Sequence, residues 1–194
     1  MVTTVTDALM DALVENRCEV HGPVSASHTV ALVVERAIAL AGGSLVAVSP
    51  GDPLMLALGV IDELRAAGGD LLLPDDSTWD ARLPEAGVGV TGARLAVAAT
   101  GSMLLGTGAG MPRATSLVPR THLCVVRTED VVATMSEGIA RLAETALPSA
   151  IAWIGGPSRT GDLEMLTTFG VHGPIAVEVV LVAGLELGAE TPAS

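Results

Sequence analysis

Apolar positions along the chain alternate between helical spacing and short unbroken runs. Leu9, Met10, Leu13 and Val14 recur at three- and four-residue intervals behind Thr6 and Asp7, which predicts a capped first helix ending near Asn16. Residues 18–25, with Gly22 and Pro23, read as a break. Ser25 or Ser27 then opens a second helix through Val30, Val33, Val34, Ala37, Ile38 and Ala41, stopped by Gly42 and Gly43. Residues 45–48 form an apolar strand, 54–67 a helix opened by Pro53 and closed by Gly68 and Gly69, and 71–73 another strand. A polar loop at 75–85 contains Trp79. Residues 87–91 and 94–98 are extended, and Thr100-Gly101-Ser102 turns the chain into a further extended run at 103–105, a hairpin that interrupts the βαβ series. A strand at 123–126, a helix at 129–143, a strand at 150–154, a helix at 160–169 and a strand at 175–182 complete the pattern.

The strands are continuous apolar runs, as expected of strands covered on both faces. Their alternation with helices predicts a three-layer αβα fold around a mixed, mainly parallel sheet. No internal repeat or long linker divides the chain, so the expected organisation is a single α/β domain over 1–194, with N-terminal helices at 1–44, a core at 45–184 and a tail at 185–194.

Charge narrows the function. The chain has 10 basic and 22 acidic residues, a net charge of −12, and every basic residue is arginine. Such a chain repels nucleic-acid backbones and anionic lipid heads, so neither nucleic acid nor a membrane is an expected partner. The longest charge-free stretch, 95–112, contains glycines, hydroxyl residues and a proline, and reads as strand and loop rather than a span. Acidic residues at 7, 11 and 15 and the lack of a basic leader argue against a signal peptide, which implies a cytoplasmic protein. The absence of lysine and tyrosine removes Schiff-base, phosphate-loop-lysine and tyrosine chemistry. Cys18 and Cys124 are far apart and cannot by themselves ligate an iron–sulfur cluster or a four-cysteine zinc. Four scattered histidines have no paired metal spacing, so neither a metal nor a cofactor is expected.

Three stretches could carry chemistry. At 153–164 a strand runs into Gly155-Gly156, followed by Pro157, Ser158, Arg159, Thr160 and the acids Asp162 and Glu164. A glycine turn before a helix start would aim free backbone N–H groups at an anion, with Arg159 supplying a planar fork. The same residues also read as ordinary helix caps with a surface arginine. Thr100, Gly101 and Ser102 could donate hydroxyls to a carboxylate, or simply form a hairpin turn. The following Gly106-Thr107-Gly108-Ala109-Gly110 opens no helix and so fails the dinucleotide fingerprint. His172, between Val171 and Gly173, is a candidate proton acceptor or a structural hydrogen-bonding group. No serine lies in a nucleophile elbow.

Gly-Gly-Pro-Ser-Arg-Thr-Gly-Asp-Leu-Glu at 155–164, Gly-Val-His-Gly-Pro at 170–174, Gly-Val-Thr-Gly-Ala at 89–93 leading to Ala99-Thr100-Gly101-Ser102, and Pro119 with His122 together resemble the lactate-utilisation (LUD) domain family, from about residue 30 onward. That family typically has Ala-Glu-Thr-Gly-Thr at the hairpin; here Ala99 replaces the glutamate and Ser102 the second threonine. The resemblance implies a fold like the NagB/RpiA (sugar-isomerase) and coenzyme A transferase superfamily. It also implies a bacterial role in oxidising L-lactate to pyruvate with separate iron–sulfur subunits. In that reading Gly155, Gly156, Ser158, Arg159 and Thr160 bind a small carboxylate with Thr100, Gly101 and Ser102, and His172 accepts a proton. Ala99 and the placement of Trp79 motivate a different role, a non-catalytic assembly or regulatory protein. Transfer or ligation on a coenzyme A or folate-like substrate is a third reading, set back by the missing glutamate and lysine.

Overall fold

The computed structural model describes residues 4–145, 147–161, 167–169 and 173–187. Helix α1 (Val5–Glu15) is opened by a reciprocal capping box between Thr4 and Asp7 and ends at Asn16. Strand β1 (Glu19–Ser25) leads to α2 (Ala26–Ala41), which Gly42 closes in the left-handed conformation. Next come β2 (Leu45–Val48), α3 (Pro53–Leu58), α4 (Val60–Ala66), β3 (Leu71–Leu72) and α5 (Trp79–Arg82). After a 3-10 turn at Leu83–Glu85 follow β4 (Ala86–Gly92), β5 (Leu95–Val97), β6 (Ser102–Thr107), α6 (Ala114–Leu117) and β7 (Thr121–Arg127). A second 3-10 turn, Thr128–Asp130, precedes β8 (Val131–Val132), α7 (Met135–Ala143), β9 (Ala150–Ile154), β10 (Arg159–Gly161), β11 (Thr167–Phe169) and β12 (Ala176–Ala183).

Six strands form a parallel sheet in the order β1-β12-β7-β4-β2-β3. Its two faces follow side-chain alternation. Val46, Val48, Val88, Val90, Leu123, Val125, Val180 and Val182 pack under α2, α3 and α4. Cys124, Val126, Val177, Val179 and Leu181 point the other way, toward α1 and a second sheet. That second sheet, ordered β8-β5-β6-β9, grows from the predicted hairpin. Ala96, Ala98, Met103 and Leu105 face the main sheet, while Leu95, Val97 and Leu104 face α7. The fold is therefore α/β with a mainly parallel sheet flanked by helices, plus an additional small sheet.

Several local expectations differ. The break at 18–25 contains β1, a sheet-edge strand in which Pro23 is tolerated because an edge leaves donors unpaired. The helix expected at 54–67 is divided at Gly59, whose φ of +62° suits glycine. The helix expected at 129–143 begins only at Met135, because Val131 and Val132 pair with β5 and a Thr134–Glu137 capping box fixes the start. The described residues of the helix expected at 160–169, namely 160, 161 and 167–169, are not helical. Arg159–Gly161 and Thr167–Phe169 are antiparallel strands, in line with the β preference of their threonines and phenylalanine. Trp79 belongs to α5 and is buried against Leu45, Ala47, Leu72, Leu83 and Ala86, which removes it as a motive for a docking role. No helix among the described residues is long and apolar enough to cross a membrane.

Candidate functional site

From β2 the chain proceeds to the outer strand β3, whereas from β4 it passes through the second sheet to β7 on the other side. Adjacent strands whose connections diverge leave a crevice at their carboxyl ends, where α/β proteins bind ligands. A cavity of about 350 Å³ occupies this position. Asp52, Arg94, Arg127, Asp130 and Arg141 supply its charged groups.

Asp52 joins the two sides of the crevice. As N-cap of α3 its Oδ1 accepts from the Leu54 N–H at 2.9 Å and the Met55 N–H at 3.4 Å, and its Oδ2 accepts from the Gly92 N–H at 2.8 Å. A Cβ at Gly92 would lie 2.5 Å from Oδ1, so only glycine lets β4 end this close to the carboxylate. Burial pushes the Asp52 pKa up, against the three backbone donors that favour the charged form.

The opposite wall is built on arginine. Arg127 Nε donates to Asp130 Oδ2 at 2.6 Å, Nη2 to Oδ1 at 3.0 Å and Nη1 to the Leu185 carbonyl at 2.8 Å. Arg141, from α7, donates to the same Asp130 and to the Glu129 carbonyl. The hydrogen bonds to Asp130 raise the Arg127 pKa, fixing its charge. One buried carboxylate thus serves two guanidinium groups, and this trio carries one net positive charge. Arg94 also lines the cavity, from just beyond β4. A chain of net charge −12 places three of its ten arginines around one cavity.

A narrow extension of about 10 Å³ shares Asp52, Gly92, Gly106 and Met111 with the cavity and reaches Ser49, Thr91, Arg113 and Ser116. That is room for about one water. Fully buried His122 meets the Thr91 hydroxyl at 2.8 Å through Nε2, and its Nδ1 has no hydrogen-bond partner among the described residues. Burial depresses its pKa to about 4, so the ring is neutral at pH 7. Burial likewise pushes the Cys124 thiol up, and Cys18 up to about 11 against the pull of the Arg159 charge, leaving neither thiol activated.

The residues singled out from sequence lie elsewhere, and several of them meet. Asn16 Nδ2 donates to the carbonyls of Thr100 at 2.9 Å and Gly101 at 3.4 Å. Gly156, at φ +133°, approaches so closely that a Cβ there would be 2.5 Å from the Asn16 carbonyl oxygen, and a Cβ at Gly155 would lie 3.7 Å from Ser102 Oγ. Thr100, Gly101, Ser102, Gly155 and Gly156 therefore gather around the end of α1. The Thr100 hydroxyl donates to Ser102 Oγ at 2.9 Å, and the Ser158 N–H to the Pro174 carbonyl at 2.9 Å. Arg159 is exposed, at the start of β10 rather than of a helix, so the expected row of free helix N–H groups is absent there. The side chain of Thr160 and all of His172 lie outside the described residues. Among the described residues, neither cavity is lined by any residue of 100–102 or 155–159.

Two further clusters have local explanations. The glycines after the hairpin bring loops together: the Gly51 N–H donates to the Gly110 carbonyl at 3.1 Å, and a Cβ at Gly51 would lie 2.1 Å from the Ala109 carbonyl oxygen. Glu19, His21 and Glu178 place three possible metal-ligand atoms within 4.8 Å of one another. Arg36 already occupies both oxygens of Glu178, at 2.9 and 2.7 Å, so this carboxylate is matched by a guanidinium.

No sequence motif marks the charged cavity residues. Their signal was position: Asp52 follows β2 by four residues, Arg94 follows β4 by two, and Arg127 ends β7. Charges set just beyond buried parallel strands fall where such folds bind ligands.

The LUD domain model matches residues 71–182. A lactate utilization protein C of Deinococcus radiodurans is 35% identical over 117 residues, covering 59% of this chain and 55% of that protein. Its Bacillus subtilis namesake is 30% identical over 118 residues, covering 54% and 49%. The chain thus spans about half the length of these relatives. A crystal structure of a DUF162 family protein from Deinococcus radiodurans superposes with a TM-score of 0.66 at 27% identity, covering 92% of this chain and 96% of that one.

Proposed function

The chain belongs to the LUD domain family, and from that premise we propose that it is a lactate-utilisation-type protein that binds a carboxylate in the cavity between its two sheets. The observation that carries the reading is the concentration of Arg94, Arg127 and Arg141 at one cavity of an otherwise acidic chain. Arginine's planar fork matches a carboxylate, and a single carboxylate, Asp130, is shared between Arg127 and Arg141, which leaves that pair one positive charge in excess. Names of relatives such as the Deinococcus radiodurans protein support the lactate-utilisation assignment.

In this proposal the chain works with separate iron–sulfur subunits that oxidise L-lactate to pyruvate. Its own two cysteines, both buried, are too few to ligate such a cluster, which is consistent with redox centres residing in partners.

A second placement of the anion is the corner at Asn16, favoured by the convergence of the 100–102 turn with Gly155 and Gly156. Calorimetric titration with lactate and pyruvate separates the two. Arg141→Ala is expected to weaken binding at least tenfold, a loss of about 1.4 kcal/mol, and Arg159→Ala to leave it unchanged. The reverse pattern moves the site to the corner, and no binding by the unmodified chain removes the carboxylate reading.

A further inference from the structure

The cavity is larger and less polar than a three-carbon acid requires. Its volume of about 350 Å³ falls within the range of pockets that enclose drug-sized organic molecules. Beyond the Arg127–Asp130–Arg141 wall the lining includes Leu54, Leu95, Met111, Leu142 and Leu187. Leu54 is anchored in the cluster under α2–α4, and Leu95 and Leu142 in the cluster between the second sheet and α7. These walls are held from behind by close-packed core and cannot collapse to shrink the space. On the remaining side Asp52 has both oxygens engaged by backbone N–H groups and offers nothing to a second anionic group, and Arg94 already takes part in an interaction of its own.

Resting on the carboxylate site proposed above, we infer that the ligand is an amphipathic monocarboxylic acid with a hydrocarbon or aromatic body, larger than lactate. The carboxylate lies against Arg127 and Arg141, the latter half-exposed and able to turn toward it. The body covers Leu54, Leu95 and Leu142. Lactate occupies only the charged end, so a larger acid is the preferred occupant of this cavity.

The test is isothermal titration of the full chain with lactate, 2-hydroxyhexanoate and 2-hydroxyoctanoate. Affinity is expected to rise about fourfold per added methylene until the cavity is filled. Met111→Trp, a loop substitution that fills apolar space, is expected to abolish that rise, read as the ratio of 2-hydroxyoctanoate to lactate affinity. Leu187→Trp replaces it if the first variant does not fold, as judged by far-ultraviolet circular dichroism. Affinity that is flat or falls with chain length overturns the inference and leaves the carboxylate site standing. Binding of the whole series that is indifferent to Arg141→Ala, or no binding at all, overturns both.

Discussion

At the scale of single residues, two buried groups define the chemistry under the cavity. His122 is neutral in the fold with a pKa near 4, whereas an exposed histidine in the unfolded chain titrates near 6.5. Between these values the unfolded state binds the extra proton, so stability falls as pH drops through that window, by up to about 3 kcal/mol. Urea unfolding at pH 7 and pH 4.5 measures the loss, and His122→Leu should remove most of it. Asp130 gives a second prediction. It is buried and holds both Arg127 and Arg141, so Asp130→Ala leaves an uncompensated, mostly buried Arg127 and should cost about 3 kcal/mol in chemical denaturation. Arg141→Ala removes a partner whose side chain is 41% exposed and should cost less than about 1 kcal/mol. Neither role was legible in the sequence. A histidine in an apolar run and an arginine three residues before an aspartate have many local meanings, and the shared carboxylate exists only once α7 is folded over β7's end.

At the scale of elements, hydrophobic periodicity found the long helix α2 and the buried strands because both bury a continuous apolar surface. It failed where short β-branched segments compete with helical spacing. Val131 and Val132 lie in a segment whose pattern predicts helix yet pair with β5, and the threonines at 160, 167 and 168 lie in another such segment yet belong to β10 and β11. The hairpin at 100–102 was legible from its turn, but its recruitment of β8 and β9 into a second sheet was not, since that pairing is non-local. The start of α7 matters most for the site because this helix delivers Arg141. Thr134→Ala breaks the capping box with Glu137 and should destabilise the protein by about 1 kcal/mol, read from the shift in unfolding midpoint.

At the scale of the whole molecule, the fold explains why the charged cavity was hidden in the sequence while the motif-bearing corner was conspicuous. Arg94, Arg127 and Arg141 come from three separate elements, and only the adjacency of β4 and β7, with the second sheet and α7 packed beyond them, brings them together. The glycine-rich motifs instead owe much of their character to close backbone approach, as at Gly156 against Asn16. Locating an anion directly decides between the two places. A crystal soaked with 4-bromobenzoate, a carboxylate with an apolar body and an anomalous scatterer, is the most direct measurement. The bromine peak is predicted inside the cavity beside Leu54 and Leu142, with the carboxylate on Arg127 and Arg141. A peak at the corner of Asn16, Thr100 and Gly155, with the cavity empty, would contradict the assignment of the site.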